Sequence, residues 1–546
     1  MTQFEIRRRD GLARSGIFTH GETTLETPAV IDPEAQFIDL ETRSHSNIPL
    51  QADEAFVAAY FEESTGEPIP VHPLRMSGVS SGDAVLFPCW HTALANPRAY
   101  ADWIEAFIRE LPPDAARYAP ASALPSNVSM LIATGFDLFD TRAVDLRSAQ
   151  GLFCTPLGIY PGSWMHEGIC ACPGCGNEDL LEHNRLALRS EIALAAAHLK
   201  QGDLRELIES RSRSDAALVA LLRHLDTKTS FTEIAAPIAR KTTFRAYTAE
   251  SMNRPEVIRF ARRTITRFTP SHTDTCVLLP CSARKPYSFS QSHKKFNDAI
   301  QGRADALIVT SPLGVVPREL EAVYPAAHYD VPVTGYWDHE EIHLLSGILA
   351  SYLNAHPYER IIAHLEGGAR EVAQRAAESA GVRLQETCRD GRPTSRESLD
   401  NLAAALSGGR KRSVDQISAT IQWQFGRTVD TKGMMIKGKG LNRKVMLGRR
   451  QLFSIDPTSG LLRPTFDGWE LLPGCYQVKI DDFVPHGDIL APGVISADPG
   501  IRDGDEVFVV GEGIVATGRA MMPADEMVRS KRGVAVRLRK VKKSEE

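Results

Sequence analysis

Between residues 274 and 405 three short apolar runs, 276–279, 306–310 and 360–364, alternate with stretches of helical periodicity, of which 340–354 is the clearest. An apolar run of four or five residues reads as a buried strand. Such strands alternating with amphipathic helices specify a parallel sheet covered by helices. Open sheets of this kind take their ligands in the loops at the carboxyl ends of the strands. The first of these loops, 280–293, carries unusual chemistry: the thiol of Cys281, the cations Arg284 and Lys285, the phenol of Tyr287, the hydroxyl of Ser290 and the imidazole of His293. Neighbouring cations lower a thiol's pKa, so Cys281 is the expected nucleophile. The same residues also read as a half-buried cysteine in a basic surface loop.

Later loops of this domain supply the expected walls of a pocket. Gly314 and Gly335 suit close backbone approach to a ligand, with Ser311 beside the first. Tyr336 and Trp337 offer flat faces for a heterocycle, and Asp330, Asp338 or Glu319 offers a carboxylate to an ammonium group. His364, ending the third run, is a further candidate.

Pro280-Cys281, three residues, Lys285-Pro286-Tyr287, two residues, Ser290, two residues, His293 resembles the signature of the archaeosine synthase family, tRNA-modifying enzymes derived from tRNA-guanine transglycosylases. Elsewhere the resemblance is to the transglycosylases themselves. Residues 4–31 read as a β-meander with Asp-Gly, Ser-Gly and His-Gly turns, and are similar to that family's opening strands. At 135–142 a segment resembles the barrel strand end that carries the family's nucleophilic aspartate, which falls on Asp140. Only about 110 residues separate the two, against ~250 for a complete TIM barrel. The resemblance therefore implies a shortened barrel that has lost base exchange, with Asp140 as a remnant.

Cys170, Cys172 and Cys175 crowd into six positions around a Pro-Gly turn, and His183 follows. Three thiolates and an imidazole make a closed tetrahedral shell for a structural Zn(2+), and the pattern resembles the transglycosylase zinc site. His198 competes with His183 for the fourth position, ahead of Cys154 and His166.

The net charge of -5 hides an asymmetry: residues 410–546 hold 23 Lys and Arg against 17 Asp and Glu. A basic end on an acidic body implies a polyanionic partner. Residues 432–450 carry seven cations and no acid, among them Lys437, Lys439, Arg443 and Arg449, on a glycine-rich backbone suited to phosphate contact. From 473 onward short strands at regular spacing read as a small β-barrel. The phrases at 491–494, 501–507 and 516–520, with Arg502 and Arg519, resemble a PUA domain, an RNA-binding module, and Arg529, Lys531 and Arg532 open its basic end.

The expected architecture is therefore multidomain, α/β and α+β. It runs from a shortened TIM-barrel-like transglycosylase domain with a zinc site (1–200), through a helical connector (201–270), a central parallel α/β domain (271–405) and a small α/β domain (413–471), to a PUA β-barrel (472–546), with 389–412 as a linker. No run approaches the ~20 apolar residues of a membrane span, and the first residues lack a signal-peptide pattern, so no membrane and a cytoplasmic location are expected. The resemblance implies tRNA carrying preQ0 (7-cyano-7-deazaguanine) as substrate, free lysine as co-substrate, and a radical-SAM partner that completes archaeosine. It also implies a homodimer. In this expectation Cys281 attacks the nitrile, Lys285 or Arg284 stabilises the thiolate, His293 shuttles protons, and Tyr287 and Ser290 orient the base or amine. The alternatives are a non-catalytic tRNA-binding subunit and a glutamine-dependent amidinotransferase.

Overall fold

The computed structural model describes residues 2–31, 69–70, 84–86, 96–119, 121–272, 274–332 and 336–543. Gly335 lies outside the described residues. Two compact units account for the chain: residues 1–238 together with 478–546, and residues 239–477.

The first unit begins with the meander expected at its amino end. Strands β1 (Thr2–Asp10), β2 (Ala13–His20) and β3 (Thr23–Glu26) pair antiparallel. Gly11 and Gly21 take the turns with φ of 65° and 58°, a region that favours glycine. Next come β4 (Ala29–Val30), β5 (Ile69–Pro70), β6 (Ala84–Leu86), β7 (Ala116–Ala119) and β8 (Leu138–Phe139), all parallel in the order β4-β8-β7-β6-β5. These are five parallel strands among the described residues, against the eight of a complete TIM barrel.

The stretch expected as a connector, 201–270, is divided between the units. Leu204, Leu207, Leu221, Leu225 and Phe231 join one apolar core with Tyr100, Phe107 and Phe136 of the first unit. The helix Pro255–Thr266 lies in the second unit. Burial of an alternating leucine face is what ties down a segment that looks featureless by motif.

A hairpin of β9 (Leu152–Thr155) and β10 (Gly158–Pro161) closes this part of the chain. In the second unit, β11 (Phe244–Arg245) precedes the central sheet, whose strands are β12 (Thr275–Pro280), β13 (Asp305–Thr310), β14 (Gly314–Pro317), β16 (Arg360–Ala363) and β17 (Leu384–Glu386), while β15 (Tyr329–Asp330) pairs with β11. The sheet order is β14-β13-β12-β16-β17. Every pairing is parallel except β13 with β14. The wholly parallel expectation is thus corrected at one edge: the tight turn after Thr310 reverses the chain before a crossover helix can form. Val277, Leu279, Ala306 and Ile362 face Phe296 and Ile300 of the helix Gln291–Ile300 and Leu402 of the helix Arg396–Ala405. That second helix lies inside the expected linker; fully buried Leu402 makes it part of the core.

The chain runs from β12 to β13 on one side, then crosses to β16 on the other. The carboxyl ends of β12 and β16 therefore flank the point where strand order reverses, the usual crevice of an open α/β sheet. Cys281 follows β12 directly.

Past residue 412, the helix Gln416–Phe425 and the antiparallel sheet β18 (Met434–Lys437), β19 (Lys444–Leu447), β20 (Arg450–Ile455), β21 (Leu462–Pro464) complete the second unit. The last sheet is formed by β22 (Gln477–Ile480), β23 (Ile489–Leu490), β24 (Val494–Ala497), β25 (Glu506–Gly511), β26 (Ile514–Ala520) and β27 (Val534–Lys543), in the order β23-β27-β26-β25-β22-β24. No helix among the described residues is long and apolar enough to cross a membrane.

Candidate active site, metal cluster and basic surfaces

Cys281 is solvent-accessible at the end of β12, although protein surrounds it on most sides. Burial pushes its thiol up, opposed by a hydrogen bond with the Thr310 side chain and by the charge of Lys285. The expectation of a preformed thiolate is corrected accordingly. Arg284 is exposed, with no part in the balance at the sulfur, and its carbonyl accepts from Ser282 Oγ at 3.0 Å. The resting group is a thiol, with its conversion to thiolate assisted by Thr310 and Lys285.

Thr310 belongs to a buried chain of hydroxyls. Its Oγ1 lies 2.6 Å from Tyr329 Oη, which lies 2.7 Å from Tyr287 Oη. Lys285 Nζ sits 4.0 Å from the centre of the Tyr329 ring, a cation–π contact. Burial lowers the Lys285 pKa, while Cys281 and Asp330 act to raise it. A thiol, a chain of hydroxyls and a desolvated ammonium thus converge on the crevice. The sequence does not single out Thr310 and Tyr329, because they sit at the ends of β13 and β15 and carry no motif of their own.

Other residues of the motif build the loop. His293 is fully buried; its Nε2 donates to the Pro280 carbonyl at 3.0 Å, and its Nδ1 accepts from Arg318 at 2.7 Å. Burial, then the adjacent Arg318, bring its pKa down to about 3. The expected proton shuttle at near-neutral pKa is corrected to a neutral anchor whose two nitrogens are both engaged. Ser290 caps the helix Gln291–Ile300, accepting from the His293 amide at 3.2 Å. Tyr287 is wholly buried in the hydroxyl chain. Neither Ser290 nor Tyr287 is placed to touch a base or an amine.

The expected pocket walls are only partly assembled. A Cβ on Gly314 would stand 2.5 Å from Ile348 Cγ2, so this glycine admits a helix rather than a ligand. Ser311 is buried, with its Oγ 3.7 Å from Met252 Sδ. Asp338 caps the helix His339–Ala355 by accepting from the Glu341 amide at 2.8 Å. The Trp337 ring packs over Gly368. Asp330 is exposed near Lys285 and accepts from Tyr247 Oη at 2.8 Å. Buried Glu319 has its carboxyl pushed up to about 7, by burial and then by Asp305. His364 is buried between Thr387 and the Pro393 carbonyl.

In the first unit, the donor atoms of Cys170, Cys172, Cys175 and His183 all lie within 4.8 Å of one another. His183 Nδ1 is 3.3 Å from the sulfurs of both Cys172 and Cys175. Its Nε2 donates to the Cys154 carbonyl at 3.1 Å, the outer contact that leaves Nδ1 free for a metal. Gly174 makes the wrap feasible, since a Cβ there would meet the His183 amide at 2.3 Å. His198 is engaged by Asp203 at 2.9 Å. This Cys3His donor set fits a structural zinc ion.

Asp140 is buried, accepting from Tyr118 Oη at 2.6 Å and from the amides of Ala121 and Arg142. These bonds hold it in place as a structural group.

Among the expected RNA contacts, Lys437, Lys439 and Arg449 are exposed on the sheet that contains β18 and β19, and Arg443 is half-buried. Exposed Leu441 lies at the tip between them. Lys531 is exposed, while Arg519 and Arg532 are half-buried. Two assignments are corrected. Arg502 reaches Glu233 at 3.0 Å, and Arg529 is held by Asp525 at 2.7 Å and the Leu111 carbonyl at 2.6 Å. Both are internal braces of the first unit.

Comparison with known proteins agrees with this architecture. Residues 257–406 match a family model described as a domain of unknown function, DUF5591, and residues 480–542 match a PUA domain. The chain is 36% identical to the archaeosine synthase subunit alpha of Methanosarcina acetivorans over 100% of both chains. It is 34% identical to the archaeosine synthase of Haloferax volcanii, covering 98% of this chain and 99% of that one. The tRNA-guanine(15) transglycosylase of Methanobrevibacter smithii is 23% identical, over 79% of this chain and 68% of the relative. Fold, PUA module and relatives define a multidomain α/β protein of tRNA modification. Within that class, the chain belongs to the archaeosine synthase family.

Proposed function

We propose that this protein adds an amine, that of free lysine, to the nitrile of preQ0 already installed in the D-arm of tRNA. The observation that carries the reading is the convergence of Cys281, Thr310, Tyr329 and Lys285 on the carboxyl end of β12. A nitrile carbon is electrophilic. The Cys281 sulfur bonds to it while the thiol proton passes, with help from the Thr310 hydroxyl, to the nitrile nitrogen, giving a thioimidate. The amine then adds, the C–S bond breaks, and a proton returns to sulfur, leaving an amidine and a free thiol. Lys285 stabilises the negative charge that builds on sulfur during attack and release. Asp330 is the acid whose charge bears on this ammonium and the candidate partner for the incoming amine.

In this reading the parallel sheet of the first unit is the remnant of a transglycosylase barrel, and the Cys3His cluster holds a structural zinc ion. Lys437, Lys439, Arg443, Arg449 and Lys531 contact tRNA phosphates. The designation of relatives as a subunit alpha supports a second polypeptide, here a radical-SAM protein that converts the adduct to archaeosine. The experiment is incubation with preQ0-containing tRNA and radiolabelled lysine. Label in RNA with the native chain and none with Cys281→Ser is expected. Near-normal labelling by Cys281→Ser eliminates the covalent route and leaves direct attack by lysine. Tight tRNA binding without any label favours a non-catalytic subunit.

A further inference from the structure

A cavity of about 600 Å³ opens within the first unit, at the amino ends of the parallel strands. Asp137 precedes β8 and lines the same end as Arg117 of β7, whereas Asp140 follows β8. The cavity is therefore across the sheet from the strand end occupied by Asp140. Leu12, Ile108, Phe231 and Ile234 give it apolar walls, and residues of the carboxyl-terminal module complete it.

Six arginines line the cavity: Arg9, Arg14, Arg109, Arg117, Arg502 and Arg529. Five of them have a carboxylate each. Arg9 pairs with Glu526 at 2.7 Å, Arg109 with Glu105 at 2.9 Å, Arg502 with Glu233 at 3.0 Å, Arg529 with Asp525 at 2.7 Å, and Arg14 with Asp137. Arg117 has no ion pair among the described residues. It is 3% exposed, its Nη1 donates only to the Gly135 carbonyl at 3.3 Å, and its Nε has no partner. Its guanidinium lies 5.7 Å from the Phe107 ring. Burial, then the nearby Arg14, lower its pKa to about 9 against the opposing charges of Asp137 and Glu526, which already serve Arg14 and Arg9, and the group stays charged at neutral pH. A buried cation without an ion pair is destabilising, and an anion in the adjoining cavity would offset that.

We propose that this cavity binds one nucleotide, its phosphate on Arg117 and its base against the apolar walls. A phosphodiester unit carries one negative charge, matching the single unpaired guanidinium. Unstacked bases pack on aromatic side chains such as Phe231, and an arginine fork matches the geometry of a phosphate. The nucleotide is either a unit of the bound tRNA or a free mononucleotide. The site is independent of the chemistry assigned to Cys281.

The test uses the full chain, titrated calorimetrically with AMP, GMP, CMP and UMP, and by fluorescence anisotropy with a labelled tRNA transcript. Two variants are compared: Arg117→Lys, which loses the planar fork, and Ala235→Trp, which fills the cavity without touching charge. Binding of a mononucleotide that both variants weaken at least tenfold supports a free-nucleotide site. Weakening of tRNA alone by at least tenfold, with unchanged melting temperature, supports a splayed unit of RNA. Mononucleotide binding that survives Ala235→Trp overturns the proposal. So does tRNA affinity within twofold of the native value in both variants, with no mononucleotide bound.

Discussion

Thr310 Oγ1 stands 2.6 Å from Tyr329 Oη, and the same threonine side chain offsets part of the upward push that burial gives the Cys281 thiol. The Cys281 thiol therefore adjoins a buried chain of hydroxyls. Thr310→Val cuts that chain at the sulfur. The rate of Cys281 alkylation by iodoacetamide, followed against pH by peptide mass spectrometry, should then show its midpoint moved upward, because the bond that favours the thiolate is gone. Lys285→Met should move it the same way. An unchanged midpoint in both variants would remove these residues from the chemistry of the thiol.

One zinc ion per chain is expected by elemental analysis. Cys172→Ala or His183→Ala should lose it and lower thermal stability, since metal binding to a closed shell contributes to folding. His198→Ala should keep it, because that ring is committed to Asp203. Full metal retention by His183→Ala would show that the fourth ligand is another residue.

Acid should loosen the site through His293. Its folded pKa, about 3, lies below the ordinary value of 6.5. Between those values the unfolded chain binds the extra proton, so stability rises with pH. The contribution is complete above about pH 6.5 and fades as pH falls toward 3. From pH 7 to 5 the loss is about 2 kcal/mol, and His293→Gln should abolish that part of the urea-unfolding difference. A slope unaltered by the substitution contradicts the assignment.

Two kinds of arginine and lysine should separate by experiment. Lys437→Ala, Lys439→Ala and Arg449→Ala together should weaken tRNA binding and flatten its dependence on salt by about two to three in log–log slope. Melting should stay within a degree or two. Arg502→Ala should instead destabilise the first unit, because Glu233, its partner, is only 2% exposed. An intact salt dependence in the triple variant would move the RNA surface elsewhere.

The strands and helix of the central sheet were legible because buried runs and helical periodicity are local signals, and so was the Cys3His cluster, confined to fourteen positions. The chain of hydroxyls was not. Thr310 meets Cys281 only through the β12–β13 register, which pairs Pro280 with Val309, and Tyr329 arrives from a two-residue strand. His293 carried the right motif and the wrong chemistry. Arg318, twenty-five positions away, occupies its second nitrogen. Likewise Arg502 and Arg529 read as RNA contacts in the sequence, whereas Glu233 and the Leu111 carbonyl occupy them in the fold. Charge counts along a chain reveal how many cations exist, not which already have partners.

The first unit is assembled from both extremities of the polypeptide, and this sets a timetable on the ribosome. When residue 238 has been made, Arg9 still lacks Glu526, and Asp114 still lacks the amide of Lys531. At ordinary elongation rates roughly 15–60 s pass before those partners are synthesised. Throughout that interval the leading segment lacks those partners, whereas the inserted middle has its whole sequence once residue 477 is made.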